Sequence, residues 1–163
     1  MIIAPVSPIT VLAGKLISCL AIVYLSAIIM LATGILLFQV NLYWNIPAIA
    51  LSIFLGALSA IGLGLIISSV SKNVEAASSI TVVISIPLQF FIGAFFPLSI
   101  MPEPAQIFGE TLPFTKLVDA MQSIMTKNLP FEAVTPEIIY MTVSGLILFA
   151  LGIIAYQLSL KRL

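Results

Sequence analysis

No charged residue interrupts the chain between Leu16 and Ser71. A charge at the centre of a bilayer costs about 2.5–3.5 kcal/mol on insertion scales, so spanning segments exclude it. A soluble domain has no reason to avoid charge over such a length. The gaps between charges therefore map the membrane. The charges fall in a few narrow places: Lys15, then Lys72 and Glu75, then a scattering from Glu103 to Glu137, then Lys161 and Arg162.

Composition agrees. Charged residues make up 7% of the chain, against about 25% in soluble proteins. The formal net charge is zero, which excludes the basic face that nucleic-acid binding needs. With no histidine and one cysteine, Cys19, an internal disulfide is impossible and no Cys/His metal site is expected. Lys15 follows a proline-containing stretch and precedes a long apolar run, so a cleaved signal peptide is not expected.

A spanning helix needs about 20 apolar residues. Four segments qualify, at about 14–38, 48–71, 76–96 and 138–160. Backbone groups in lipid must be satisfied internally, so the expected fold is an all-α membrane protein with four transmembrane helices in a single membrane domain, 1–163. An even number of spans puts both termini on one side. The balance of Lys and Arg makes that side cytoplasmic, with Lys15, Lys72, Lys161 and Arg162 inside and Lys116 and Lys127 outside. Tyr43, Trp44, Tyr140 and Tyr156 sit near span ends, as interfacial aromatics do. The segment 97–137 carries Pro102, Pro104, Pro113, Pro130 and Pro136. Two short helices are expected between these prolines, at 105–112 and 114–126. They either lie on the outer surface or dip into the membrane and return.

Two patterns inside the spans stand out. Ser52, Gly56, Ala60, Gly64 and Ser68 recur every fourth residue in span two. Such small-residue ridges let helices approach closely, within the bundle or at a subunit interface. Span three carries Ser78, Thr81, Ser85 and Gln89 on one side, beside Pro87. At 100° per residue these four fall within an arc of about 80°. Pro87 cannot donate to the carbonyl of Val83. A polar stripe beside a kink suits a helix lining a passage, and equally one hydrogen-bonded to a neighbour. A weaker stripe of Ser18, Cys19, Ser26 and Thr33 runs along span one.

Nothing points to catalysis. The chain has no G-x-x-x-x-G-K-[ST] phosphate loop and no G-x-S-x-G elbow. Glu103, Glu110 and Asp119 read as a solvated face. No span carries an ionisable residue near its midplane, which argues against an ion-coupled carrier. If the chain moves anything uphill, a partner supplies the energy.

The order of these features resembles the membrane subunit of type-2 ATP-binding-cassette exporters. Three stretches carry the resemblance: Ala4-Pro5-Val6-Ser7-Pro8 with Gly14-Lys15; Gly62-Leu63-Gly64-Leu65-Ile66-Ile67-Ser68 with Lys72 and Glu75; and Phe91-Ile92-Gly93-Ala94-Phe95-Phe96-Pro97-Leu98 with Met101-Pro102 and Leu112-Pro113-Phe114-Thr115. The resemblance implies that Pro5, Val6, Ser7, Pro8, Lys15, Lys72 and Glu75 face a separate ATPase subunit. It implies a translocation path lined by Ser78, Thr81, Ser85 and Gln89. It places an external gate at Gly93, Phe95, Phe96 and Pro97, ahead of a re-entrant segment. ATP and Mg would sit on the partner, with no cofactor on this chain. A second permease copy, or a separate chain supplying the family's first two spans, would complete the path. The expected product is thus a truncated or split form of a six-span permease. The alternative is a four-helix accessory or immunity-type membrane protein without transport activity.

Overall fold

The computed structural model describes residues 8–39, 43 and 45–160, and among them every regular element is helical. Pro5, Val6 and Ser7, Trp44, Lys161 and Arg162 lie outside the described residues, as does the side chain of Pro8. Four helices are long and apolar enough to cross a membrane. The chain divides into two compact units, 1–41 and 42–163.

The first unit is built on α1, Pro8–Phe38. Its apolar side chains, including Ile17, Ile22, Leu25, Ile28 and Leu36, are exposed. That suits a helix whose solvent is lipid. Its hydroxyls turn back on their own backbone: Ser18 Oγ donates to the Gly14 carbonyl at 2.9 Å and Thr33 Oγ1 to that of Ile29 at 2.7 Å.

The second unit holds α2 (Ile46–Val70), α3 (Val74–Phe91), α4 (Glu103–Glu110), α5 (Pro113–Met125) and α6 (Thr135–Leu160), with single 3₁₀ turns at Leu98–Ile100 and Phe131–Val134. The prolines expected to separate helices mostly begin them instead. Pro47, Pro104, Pro113 and Pro136 all occupy first turns. There the missing N–H has no intrahelical partner to lose. This is why α2 starts two residues earlier than composition suggested. Asparagines cap the two helices that flank the polar turn. Asn45 Oδ1 accepts from the Ala48 N–H at 3.4 Å, and Asn73 Oδ1 from the Ala76 N–H at 2.7 Å. Asn73→Ala is expected to cost about 1 kcal/mol, readable as a lower melting temperature in detergent.

Helix α3 is shorter than the span expected at 76–96. It ends at Phe91, where the Ile92 N–H bonds the Leu88 carbonyl at 3.0 Å and Gly93 takes φ +75°. A left-handed residue just past the helix is the usual terminator, and glycine adopts it without strain.

The core lies between α2 and α6. A methyl group added to Gly62 would fall 2.6 Å from the Leu148 carbonyl carbon and 2.7 Å from the Phe149 nitrogen. One added to Gly152 would fall 2.6 Å from the Gly62 oxygen, and one on Gly145 2.9 Å from Ser59 Oγ. Contacts advance together along both helices, so α2 and α6 run parallel and α3 is the return. The close approach follows Ser59 and Gly62 rather than the whole four-residue ladder. Ser52 and Gly56 are buried, but Ala60 and Gly64 are exposed, and nothing lies within 4 Å of Gly64. Each four-residue step turns about 40° round the helix, so the ladder drifts off the contact by about 120° over three steps. Steps of three and four hold one side.

Candidate functional site

The segment between α3 and α6 does not lie flat across the end of the helices. The Met125 carbonyl, at the end of α5, accepts from the Tyr43 N–H at 3.0 Å, close to where α2 begins. Leu117, one turn into α5, rests on Gly56. At 1.5 Å per residue Gly56 lies about 15 Å along α2, roughly half of a 30 Å hydrocarbon core. Helix α5 therefore runs antiparallel to α2, and the α4–α5 corner is its deep end. Irregular backbone at such depth needs partners within the protein. Thr115, buried, donates through Oγ1 to the Gly109 carbonyl at 2.6 Å, and Tyr140 Oη donates to the Thr111 carbonyl at 2.7 Å. Tyr140→Phe is expected to cost about 1 kcal/mol and to speed amide exchange around Thr111, measured by hydrogen–deuterium exchange.

The residues assigned to the gate form one turn. After Gly93 the chain passes Phe95 and Phe96, which are 65% and 50% exposed, and reaches Pro97. Phe90 stacks on Phe96 with centroids 6.4 Å apart and tilts against Phe95 at 6.2 Å. Phe91 meets Phe108 of α4 edge-on at 5.2 Å. Gln106 Nε2 donates to the Met101 carbonyl at 2.7 Å. Gly109 has no room for a side chain, since its methyl would fall 2.5 Å from the Phe91 oxygen. The turn and α4 are thus fixed to the end of α3.

A cleft of about 170 Å³ separates this turn from α5, lined by Gly93, Pro97, Leu98, Asp119 and Gln122. Burial pushes the Asp119 carboxyl above the usual carboxylate range. Lys116, whose Nζ lies 3.8 Å from Asp119 Oδ2, opposes that shift, as does Lys127, while Glu137 and Glu110 add to it. Asp119 lines this cleft with its side chain still 47% exposed.

The α3 stripe is left open. No side chain of α3 is buried, and Ser78, Thr81 and Gln89 are exposed while Ser85 is partly so. Thr81 Oγ1 donates to the Ala77 carbonyl at 2.8 Å and Ser85 Oγ to that of Val82 at 3.2 Å. Neither hydroxyl bonds another helix. An exposed carboxamide such as Gln89 is costly against lipid, by roughly 2–7 kcal/mol when unpartnered, so the stripe suits water or a partner. At the opposite end of α3, Lys72 and Glu75 are exposed around the Asn73 cap, and Lys15 is exposed on α1.

Sequence reading did not find Gly145, Gly152 or Gly109, and it named Thr115 only within the resemblance, without its bond to Gly109. The seven-residue spacing of Gly145 and Gly152 was a readable signal for a packing face. The others depend on contacts between elements far apart in the chain.

Comparison with known proteins places this architecture. A family model described as ABC-2 family transporter protein matches residues 1–154. Two curated relatives, the inner membrane transport permease YhhJ of Escherichia coli (strain K12) and that of Shigella flexneri, are each 21% identical over 160 residues. The match covers 96% of this chain and 42% of each relative. No solved structure matches significantly. The match spans nearly the whole chain, including the turn at 93–97, the α4–α5 corner and the α3 stripe. This multi-pass membrane chain belongs to the ABC-2 transporter family.

Proposed function

We propose that the chain is a membrane-spanning part of an ATP-driven export permease. Helix α3 lines the path with Ser78, Thr81, Ser85 and Gln89. The turn at Gly93, Phe95, Phe96 and Pro97 closes its outer end, backed by the α4–α5 hairpin dipping into the outer leaflet. Pro5, Val6, Ser7, Pro8, Lys15, Lys72 and Glu75 face the cytoplasm, as do both termini, and dock a separate ATPase that carries ATP and Mg. The observation that carries this reading is the unpartnered polar stripe of α3 beside a hairpin anchored on α2 and α6. A stripe left open by its own chain awaits a second copy, or a further chain carrying the path's remaining helices. Family membership favours this over a passive accessory protein.

Purification from native membranes in mild detergent tests the partner. An ABC-type ATPase should co-purify, and the charge reversal Lys72→Glu with Glu75→Lys should release it. A folded chain that recovers no such ATPase would sink the proposal.

A further inference from the structure

The turn after α3 and helix α5 face each other across the 170 Å³ cleft, and its two walls differ in kind. Gly93, Pro97 and Leu98 make an apolar wall. Asp119 and Gln122, on one side of α5, bring a carboxylate and a carboxamide. The Asp119 side chain is 47% exposed, so a ligand reaches it without any movement of the chain. Its ion pair with Lys116 spans 3.8 Å, uses Oδ2 alone and joins two partly exposed side chains of one helix. Such pairs hold weakly.

The surroundings select the charge of an occupant. From Gly93 to Glu137 the chain carries Glu103, Glu110, Asp119, Glu132 and Glu137 against only Lys116 and Lys127. That net negative segment gathers cations. The cleft itself selects their kind. It is smaller than the roughly 300–1,000 Å³ of a usual ligand pocket, so it admits a headgroup and not a whole amphiphile. A metal ion would gain nothing from Pro97 and Leu98, and no group of three metal-binding side chains forms among the described residues. An alkylammonium group uses both walls, its charge against Asp119 and its carbons against Pro97 and Leu98.

We propose that the cleft between the 93–98 turn and α5 binds an alkylammonium group, held by Asp119 and Gln122 on one side and by Pro97 and Leu98 on the other. Asp119 lies six residues before Met125, whose carbonyl meets the Tyr43 N–H. That is about 9 Å along α5 from its end, within reach of lipid headgroups and of dissolved cations alike. Both sources present the same chemistry to the cleft. The site needs neither path, ATPase nor cargo, so its failure would leave the transport reading standing.

The test is magnetisation transfer to leucine methyls of the full chain in phosphatidylglycerol nanodiscs. Choline is the dissolved probe. Nuclear Overhauser contacts should join its trimethylammonium protons to the Leu98 methyls. Its uncharged tert-butyl isostere should bind about tenfold more weakly or worse, and Asp119→Asn should weaken choline by a similar factor. Lys116→Ala removes the competing ammonium and should tighten choline severalfold, which a merely structural role for Asp119 would not give. Phosphatidylcholine nanodiscs separate the sources. A Leu98 contact to the lipid's own trimethylammonium protons, lost in Asp119→Asn, assigns the site to a headgroup. A contact seen only with added choline assigns it to a dissolved cation. No Leu98 contact to either, or equal binding of choline and its isostere, would overturn the proposal. So would full binding in Asp119→Asn, or an affinity unchanged or lowered in Lys116→Ala.

Discussion

Gly62→Ala is expected to destabilise the chain by about 1–3 kcal/mol, the cost of over-packing a tight contact. Its methyl would meet the Leu148 carbonyl carbon at 2.6 Å, and that neighbour is backbone, which cannot swing aside. Relief requires α6 to move away from α2, which loosens Gly152 against Gly62 and Gly145 against Ser59 at once. Gly64→Ala is the matched control, because nothing lies within 4 Å of Gly64. That exposed change should stay within about 0.5 kcal/mol. Unfolding in mixed detergent micelles measures both. Equal losses at the two glycines would show that α2 and α6 do not meet as described.

Filling the stripe should harm transport without harming the fold. In the assembled transporter, the triple change Thr81→Leu, Ser85→Leu and Gln89→Leu is expected to lower export about tenfold or more, roughly 1.4 kcal/mol on the barrier. The membrane level of the protein should hold, since α3 buries none of its side chains within this chain. Val83→Leu, on the far side of the same helix and 71% exposed, should leave export unchanged. The readout is ATP-driven export of whichever of a fluorescent lipid or an amphipathic dye the transporter moves. Equal effects from the stripe and from Val83 would remove α3's polar side from the path.

The parts of this fold fixed by solvation were legible in the sequence, and the parts fixed by contact were not. Charge-free runs located four long helices because lipid excludes charge wherever a segment sits. Helix ends were less legible. Pro47 reads as a breaker from composition, yet in a first turn it initiates. Gly93 carries no mark in the sequence that its φ is +75°, and so α3 stops before Phe96. The four-residue ladder of α2 identified a small-residue helix but missed which side meets α6, because a strict step of four drifts round the axis. The turn at 93–97 was singled out by resemblance alone. Its backing by Gln106, Gly109, Thr115 and Tyr140 joins residues up to 29 positions apart, which no local pattern records. Asp119 looked like one acid among several until the cleft placed it opposite Gly93 and Leu98.

Thiol accessibility tests most directly whether α3 faces a path worked by a partner ATPase. Cysteines placed singly at Ser85 and at Val83, in a Cys19→Ser background, are exposed to a membrane-impermeant thiol reagent with the ATPase bound. An export path predicts that the Ser85 position reacts, that its rate changes severalfold on adding ATP, and that the Val83 position stays protected in lipid. A Ser85 position that never reacts, or that reacts at one rate with and without ATP, would contradict it.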